Sequence, residues 1–513
     1  MPLDEKKLAE VTTVLQRARL AERPRLEVIR GYVKNQTNDI YLPAKVTPEY
    51  RMLVDQARFN VLPLVVKCLV QNLFVDGYRP ARQAENSPIW DDVWQRNRMD
   101  ARQSGIYRAA ANYGFAYTTV LPGKPGPVVT PYSPLRLTAL YEDPINDEWP
   151  RYAMTVELPD ALSRDPAVNA ASQLAPVNAR IWDDTHVYQV IITPGEGSKV
   201  TRSEEHGLGV CPVVRYVNEY DVDGESLGEV EPILPLQRQL NQTTFSLLWT
   251  QNFQAFLQRW ATGMAIEQDE EGNDINPFLA GPDGVWQNES PDGKFGQFDQ
   301  ADLDGYLDSR DKALLFVGSV TQTPPHNLLV GSGISNLSAE ALAALESGQG
   351  HKVADHQTSF GESHEQMLRL GGLAMGDEDA WNDTSAQVVW RDTTPRSLAQ
   401  VADALGKLAI QLDIPPRALW ERIPGVTDQD LQLWEEMHEA RMLSTELPSG
   451  EAGAPSEAED IKAKADAMGA LIRTGAEFNS AAKKVGLDGL ESSGAVPVTL
   501  RLPEGEAAAL ESS

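Results

Sequence analysis

The chain has 513 residues, with 45 Lys and Arg against 74 Asp and Glu and a formal charge of −29. That balance excludes a simple basic nucleic-acid binder. An apolar share of 42% over this length is enough for several packed regions, with most acids serving solubility.

Cys68 and Cys211 lie far apart in apolar runs and read as buried free thiols of a reducing compartment. The longest apolar run, 61–70, is broken by Pro63 and Lys67 and is too short to span a bilayer. No signal peptide opens the chain, so a soluble, cytoplasmically made protein with no membrane part is expected.

Residues 4–33 pattern as an amphipathic helical arm broken at Pro24, with Leu8, Val11 and Leu15 on one stripe and Leu26 and Ile29 on the next. A second helical block is expected over 47–74 and a third over 87–112, where Trp90 and Trp94 stand one turn apart. From Gly114 the period becomes two. Short strands are expected at 117–121, 127–130, 135–140, 151–156, 186–192 and 212–216, between Pro, Gly and Asp turns. Residues 160–178 read as a loop insertion. Helices followed by an antiparallel sheet make 51–220 an α+β region.

A long helix is expected over 228–260. On it Phe245, Trp249, Phe253, Phe256 and Trp260 are spaced 4, 4, 3 and 4 apart, an aromatic seam that must pack on something substantial. A β-rich excursion follows over 264–298, with turn signals at Glu271-Gly272-Asn273, Pro282-Asp283-Gly284 and Pro291-Asp292-Gly293. Its Asp269-Glu270-Glu271 run lacks the alternating ligands and distal Glu of a calcium loop. A helix over 301–320 returns, with Leu303, Leu307, Leu314 and Val317 on one stripe.

Pro324-Pro325 then stops the helix. The loop 326–337 carries Gly331-Ser332-Gly333, and Ser338 is placed to cap a helix over 338–370. Leu342, Leu345, Val353, Phe360 and Met367 recur along it near a period of 3.6. A strand is expected at 386–390, helices at 399–412 and 428–442, a Ser/Gly/Pro/Glu-rich linker at 447–460, a helical piece at 461–485, an extended stretch at 496–502 and an acidic end.

No catalytic signature is present. His351 and His356 point to different helix faces, and His356 and His364 are two turns apart, so neither pair has the i, i+4 spacing of a zinc protease. Gly331-x-Gly333 completes neither a dinucleotide nor a P-loop fingerprint, and no Gly-x-Ser-x-Gly elbow occurs. The expectation is a protein that is not an enzyme, with no metal site and no cofactor.

Several stretches resemble the portal proteins (head–tail connectors) of tailed double-stranded-DNA phages, of the long-tailed actinobacterial phage type. They are Glu49-Tyr50-Arg51, Asn60-Val61-Leu62-Pro63-Leu64-Val65-Val66, Leu73-Phe74-Val75-Asp76-Gly77-Tyr78, and Trp90, Trp94 and Asn97 with Asp100-Ala101-Arg102-Gln103. Thr323-Pro324-Pro325-His326, Ser338-Ala339-Glu340-Ala341-Leu342 and Phe360-Gly361-Glu362 fit the same pattern, in order over roughly residues 20–440.

The resemblance implies a mainly helical α+β portal fold forming a ring, usually a dodecamer, around a DNA channel at one capsid vertex. It divides the chain into an N-terminal helical arm (1–50), a wing (51–229), a stem helix (230–263), a clip (264–300), a second stem helix (301–322) and a tunnel loop (323–337). The helix behind that loop (338–372), the wing completion and crown (373–442) and a C-terminal extension (443–513) follow. His326, Asn327, Leu328, Leu329, Val330 and Ser332 would form the tunnel loop facing DNA, or pack on the neighbouring subunit's loop. The aromatic seam would pack between subunits. Asp269, Glu270, Glu271, Trp286 and Phe295 would lie in the clip, where a large terminase and then a head–tail adaptor dock. Major capsid and scaffolding proteins are further implied partners.

Duplex DNA carries one charge per roughly 1.7 Å, so an acidic channel lets it pass with little sticking. Arg310, Lys312 and Lys352 are the candidate lumen cations, unless neighbouring acids pair with them on an outer surface. Another virion component, such as a minor head or tail-adaptor protein, shares the acidity and the lack of chemistry.

Overall fold

The computed structural model describes residues 2–37, 40–43, 45, 47–81, 88–157, 176–195, 197–254, 259–262, 294–297, 302–329, 339–391, 398–420, 423, 426, 428–446, 464, 467–468 and 478–486. Residues 1–395 form one compact unit and residues 396–513 a second.

In the first unit, helix α1 (Glu5–Val33) is unbroken, with Asp4 accepting from the Lys7 amide at its start. The expected break at Pro24 does not occur. Pro24 is exposed, so the Leu20 carbonyl it leaves unpaired can meet water. Both halves of α1 are also pinned. Leu8, Val11 and Leu15 pack on a sheet, and Leu26, Ile29 and Tyr32 enter the main core.

The block expected over 47–74 is two helices, α2 (Pro48–Gln56) and α3 (Leu62–Val70), because Pro63 is placed for a helix start. Strand β1 (Val75–Arg79) follows. The helix expected over 87–112 is also divided. A π-helical segment (Trp90–Gln95) precedes α4 (Met99–Tyr113), and Arg98 between them is left-handed at φ 54°. Buried Asn97 holds the break. Its amide donates to the Val93 and Pro127 carbonyls at 2.8 and 2.9 Å, and its oxygen accepts from the Val129 amide at 2.9 Å.

Strands β2 (Phe115–Leu121), β3 (Val128–Tyr132), β4 (Leu137–Leu140), β5 (Tyr152–Val156), β6 (Val177–Trp182), β7 (His186–Thr193), β8 (Gly197–Glu205) and β9 (Val213–Val217) follow. They form two antiparallel sheets, ordered β3-β2-β9 and β4-β5-β6-β7-β8. Strand alternation divides the cores. Ala116, Val120, Val214 and Tyr216 face the main core, while Phe115, Tyr117 and Val213 pack with Leu137 and Trp182. Cys68 and Cys211 are buried free thiols.

Next come α5 (Leu234–Gln254), β10 (Arg259–Thr262), β11 (Lys294–Gln297) and α6 (Asp304–Thr321). Helices α5 and α6 pack together, and β10 pairs antiparallel with β11. The helix expected to reach residue 260 therefore gives way to strand first. A short turn of helix, α7 (Pro325–Leu328), precedes α8 (Ala339–Met375), then α9 (Glu378–Trp381) and β12 (Gln387–Trp390). Strand β12 returns to pair antiparallel with β1. Most of the insertion expected over 160–178 lies outside the described residues.

The second unit has α10 (Leu398–Gln411), α11 (Arg417–Trp420), α12 (Asp428–Glu446) and α13 (Phe478–Val485). Trp420 meets Trp434 edge-on at 6.0 Å. The linker expected at 447–460 and the stretch at 496–502 lie outside the described residues. Among the described residues, no helix is long and apolar enough to cross a membrane.

Candidate functional site

Helix α8 is the element on which the first unit's remaining parts converge. Val353, Phe360, Met367 and Leu370 face the core, and two buried histidines, His356 and His364, lie on the same side. Each meets a different set of partners.

The first set joins four segments. Lys352 Nζ contacts Glu229 Oε2 and donates to the Thr321 carbonyl at 2.8 Å. His356 Nδ1 bonds the Lys352 carbonyl at 2.8 Å, while Nε2 lies 3.1 Å from Asn218 Oδ1 and 3.4 Å from Glu229 Oε1. The Asn218 amide donates to the Leu227 carbonyl at 3.1 Å, which fixes its orientation. The Lys352 and Glu229 side chains are 14% and 10% exposed. Burial pushes the Glu229 carboxyl up, but the His356 hydrogen bond and the Lys352 charge outweigh it and hold it at about 2. The cluster thus ties the end of β9, the lead into α5, the end of α6 and the middle of α8.

The second set is a neutral relay. Tyr107 donates to Gln103 Oε1 at 3.0 Å, so its oxygen accepts from His364 Nε2–H at 2.7 Å. That tautomer, assigned from the network, leaves Nδ1 to accept from Tyr216 at 3.0 Å. Trp94, Tyr107 and Tyr216 meet the imidazole edge-on. Burial alone lowers the His364 pKa to about 3.

Lys352 is therefore not a free cation. Removal from water demands a partner charge, and Glu229 supplies it. Arg310 pairs with adjacent Asp311 at 2.9 Å. Lys312 stands exposed on α6.

At the start of the loop, His326 Nε2 lies 3.5 Å from Glu346 Oε1 on α8, and Asn327 is exposed. Leu328 and Leu329 are half-buried against the chain's own core, so they do not project freely. Pro325 opens a helical turn here and folds the pair back onto α6. Leu328 comes so close that a Cβ at Gly318 would lie 3.0 Å from its Cδ1. Val330 and Ser332 lie outside the described residues.

The aromatic seam divides. Phe245 is buried, not held for a neighbour. Tyr50 meets it at 5.2 Å and half-buried Trp249 at 5.1 Å, beside Ile40, Leu53 and Val54. Trp260 leaves the seam for β10, where its ring covers Gly296 so closely that any Cβ there would collide at 2.4 Å. The Phe253 side chain, Phe256, Asp269, Glu270, Glu271 and Trp286 lie outside the described residues. Phe295 is placed by its backbone, opposite Ala261.

Sequence reasoning missed two features. Glu229 and Asn218 carry no periodic signal, because the burial of Glu229 against Lys352, 123 residues further along the chain, is a tertiary fact. The outer face of α6 was legible. Leu315, Phe316 and Val320 fall off the Leu314/Val317 stripe, and they are 41%, 58% and 56% exposed.

Among the described residues, no group of His, Cys, Asp and Glu could hold a metal ion. The two clusters hold segments of the first unit together.

Residues 13–442 match the family described as "Phage portal protein, SPP1 Gp6-like". The portal protein of Mycobacterium phage L5 is 27% identical over 365 residues, covering 67% of this chain and 71% of that protein. That of Mycobacterium phage D29 is 27% identical over 366 residues, with the same coverage. A chain of the "Neck of native GTA particle computed with C12 symmetry" superposes with a TM-score of 0.41 at 11% identity, over 76% of this chain and 99% of that one. One from the "Virion of native gene transfer agent (GTA) particle" does so at 0.41 and 13%, with the same coverage. On the family match across most of its length, the chain belongs to the SPP1 Gp6-like phage portal proteins.

Proposed function

We propose that copies of this chain close into a ring, of twelve subunits, at one capsid vertex, and that double-stranded DNA is packaged and ejected through its channel. Family membership makes the chain a structural component of a phage virion. The observation that carries the ring is the outer face of α6. Phe316, Leu315 and Val320 expose an apolar stripe, whereas the outward residues of α5 include Arg238, Gln239 and Gln242. Two unlike faces on one helix pair suit a heterologous contact, in which each subunit meets a different face of the next, as ring closure requires.

In this reading α5 and α6 are the stem, and the excursion 264–300 is where a terminase motor and later a head–tail adaptor dock. Capsid and scaffolding proteins contact the wing. The channel is net acidic and touches DNA without reading bases. Lys312 is its lone cation on α6, since Arg310 is paired. Motor energy comes from the terminase.

Electron microscopy of the purified chain, with light scattering, is the test. Rings with a duplex-wide hole are expected, and Phe316→Asp should leave subunits unassembled. Intact rings in that variant would remove α6 from the subunit contact.

A further inference from the structure

Helix α5 is packed on two flanks. Leu240 shares the main core with Leu314 and Val317 of α6, while Phe245 packs with Leu53 and Val54 of α2. Five residues separate Leu240 from Phe245, about 140° around the helix, so α6 and α2 lie toward opposite sides of α5. Each turns its outer face away from α5. On α6 that face is the stripe Leu315, Phe316 and Val320. On α2 it is the side away from Leu53 and Val54, where Pro48, Arg51, Met52, Asp55 and Gln56 line a shallow open hollow.

The α2 face is uncovered. Met52 is 54% exposed, and Tyr41, whose carbonyl accepts from the Tyr50 hydroxyl of α2 at 3.0 Å, is 77% exposed. A thioether beside a guanidinium suits an aromatic ring, the first through its soft sulfur and the second through the ring face. Phe316 is the aromatic side chain that α6 exposes. The charges match as well. Arg58 holds Asp55 at 2.7 Å, which leaves Lys45 and Arg51 against Glu49 on the α2 side. The α6 side sets Asp304 and Asp308 against Lys312. A weakly basic, apolar face on a chain of charge −29 thus has its complement in a weakly acidic, apolar face across the same helix layer.

We propose that Phe316 of one copy seats on Met52 and Arg51 of the next, with α6 and α2 parallel, so that the receiving side of the ring contact runs past the polar face of α5 onto α2. The two faces point away from each other, so one chain cannot join them. Their union passes head to tail from copy to copy. The parallel direction also brings Asp308, eight residues before Phe316, toward Lys45, seven before Met52. This rests on the ring reading above, which also stands with a different receiving face.

The test is disulfide cross-linking. Gln56→Cys and Val320→Cys lie one turn beyond Met52 and Phe316 and leave both in place. Oxidised with copper phenanthroline, the double variant should give a ladder of multiples of one chain on a denaturing gel. Each single variant should give no cross-link, since a disulfide needs Cα atoms within about 7 Å. An equimolar mixture of the two should stop at the pair. The native chain should stay single, because Cys68 and Cys211 are buried. A double variant that stopped at the pair would mean a two-fold contact and overturn the proposal. Rings under the electron microscope without a ladder would also overturn it, while leaving the ring reading intact. Neither rings nor ladder would remove both. Met52→Asp gives a second readout. It should abolish rings without moving the denaturation midpoint of the unassembled chain, because among the described residues Met52 belongs to none of the hydrophobic cores. Intact rings in that variant, or a lowered midpoint, would likewise sink the proposal.

Discussion

His356 and His364 stand two turns apart on one face of α8, both buried, and they do opposite things. His356 sits among an acid, an amide and a backbone carbonyl, in a cluster that contains a formal ion pair. His364 sits between two tyrosine hydroxyls, and burial alone shifts it. Helical spacing made them look like one feature. The difference lies in what each faces: the lead into α5 brings Glu229 to the first, and α4 and β9 bring Tyr107 and Tyr216 to the second. A buried histidine takes its character from elements remote in sequence, and the two sites should fail differently when perturbed.

The largest effect is expected at the charged site. Lys352→Met leaves Glu229 buried without its main counter-charge and should cost about 3–5 kcal/mol. Adding Glu229→Leu should restore much of that, because an apolar pair of similar volume avoids the desolvation of both ions. Urea melts of the unassembled chain measure both. A Lys352→Met loss under about 1 kcal/mol would mean that the joint holds without the pair.

Acid separates the two sites next. The His364 pKa falls from an ordinary 6.5 to about 3 on folding, so the unfolded chain binds the extra proton between those values. Stability is full above 6.5 and declines as pH falls toward 3. From pH 7 to 4.5 that amounts to roughly 2–3 kcal/mol for this one group. Glu229 is lowered from 4.5 to about 2, so its contribution is present above 4.5 and is lost only below it. His364→Gln should flatten the slope between pH 6.5 and 4.5 and reduce it from there to about pH 3, where the Glu229 limb remains. His206, also lowered by burial, acts in both proteins and cancels in the difference. An unchanged upper slope in His364→Gln would refute the neutral relay.

Packing beside the relay gives the third effect. At Gly371 a Cβ would lie 2.5 and 2.7 Å from the two methyls of Val93, a side chain stiff at χ1. Gly371→Ala gains roughly 1 kcal/mol of helix propensity but overpacks by about 1–3 kcal/mol. The balance should be a net loss, read as a lower denaturation midpoint. No loss would show that the π-helical segment shifts easily, and that His364 lies in a softer place than its burial suggests.

Much of the fold could be read in advance, and the gaps share a physical cause. Alternation placed β2, β5, β7 and β9, and the Pro pair placed the end of α6, because these signals are local. Strand β8 was missed because Lys199, Thr201 and Arg202 on an exposed edge give no apolar pattern. The 4, 4, 3, 4 spacing predicts one aromatic surface, but a strand begins at Arg259 and removes Trp260 from it. For Lys352 the sequence leaves a channel charge and a paired cation both open, because nothing near it in sequence announces Glu229. For the loop leucines the sequence offers contact with DNA or with a neighbouring loop, and it gives no sign that Gly318 lets Leu328 lie against α6.

The smallest effect on stability is expected on the outside of the same joint. The Thr321 carbonyl that receives Lys352 ends α6, and one turn earlier Phe316 points to solvent at 58% exposure. Among the described residues, Phe316 belongs to none of the hydrophobic cores. Phe316→Asp should therefore move the midpoint of the unassembled chain by no more than about 0.5 kcal/mol, while abolishing rings. Lys352→Met should do the reverse, weakening the subunit while leaving the apolar stripe in place. If Phe316→Asp cost as much stability as Lys352→Met, the stripe would belong to the subunit's own core, and the separation of inner joint from outer contact would collapse.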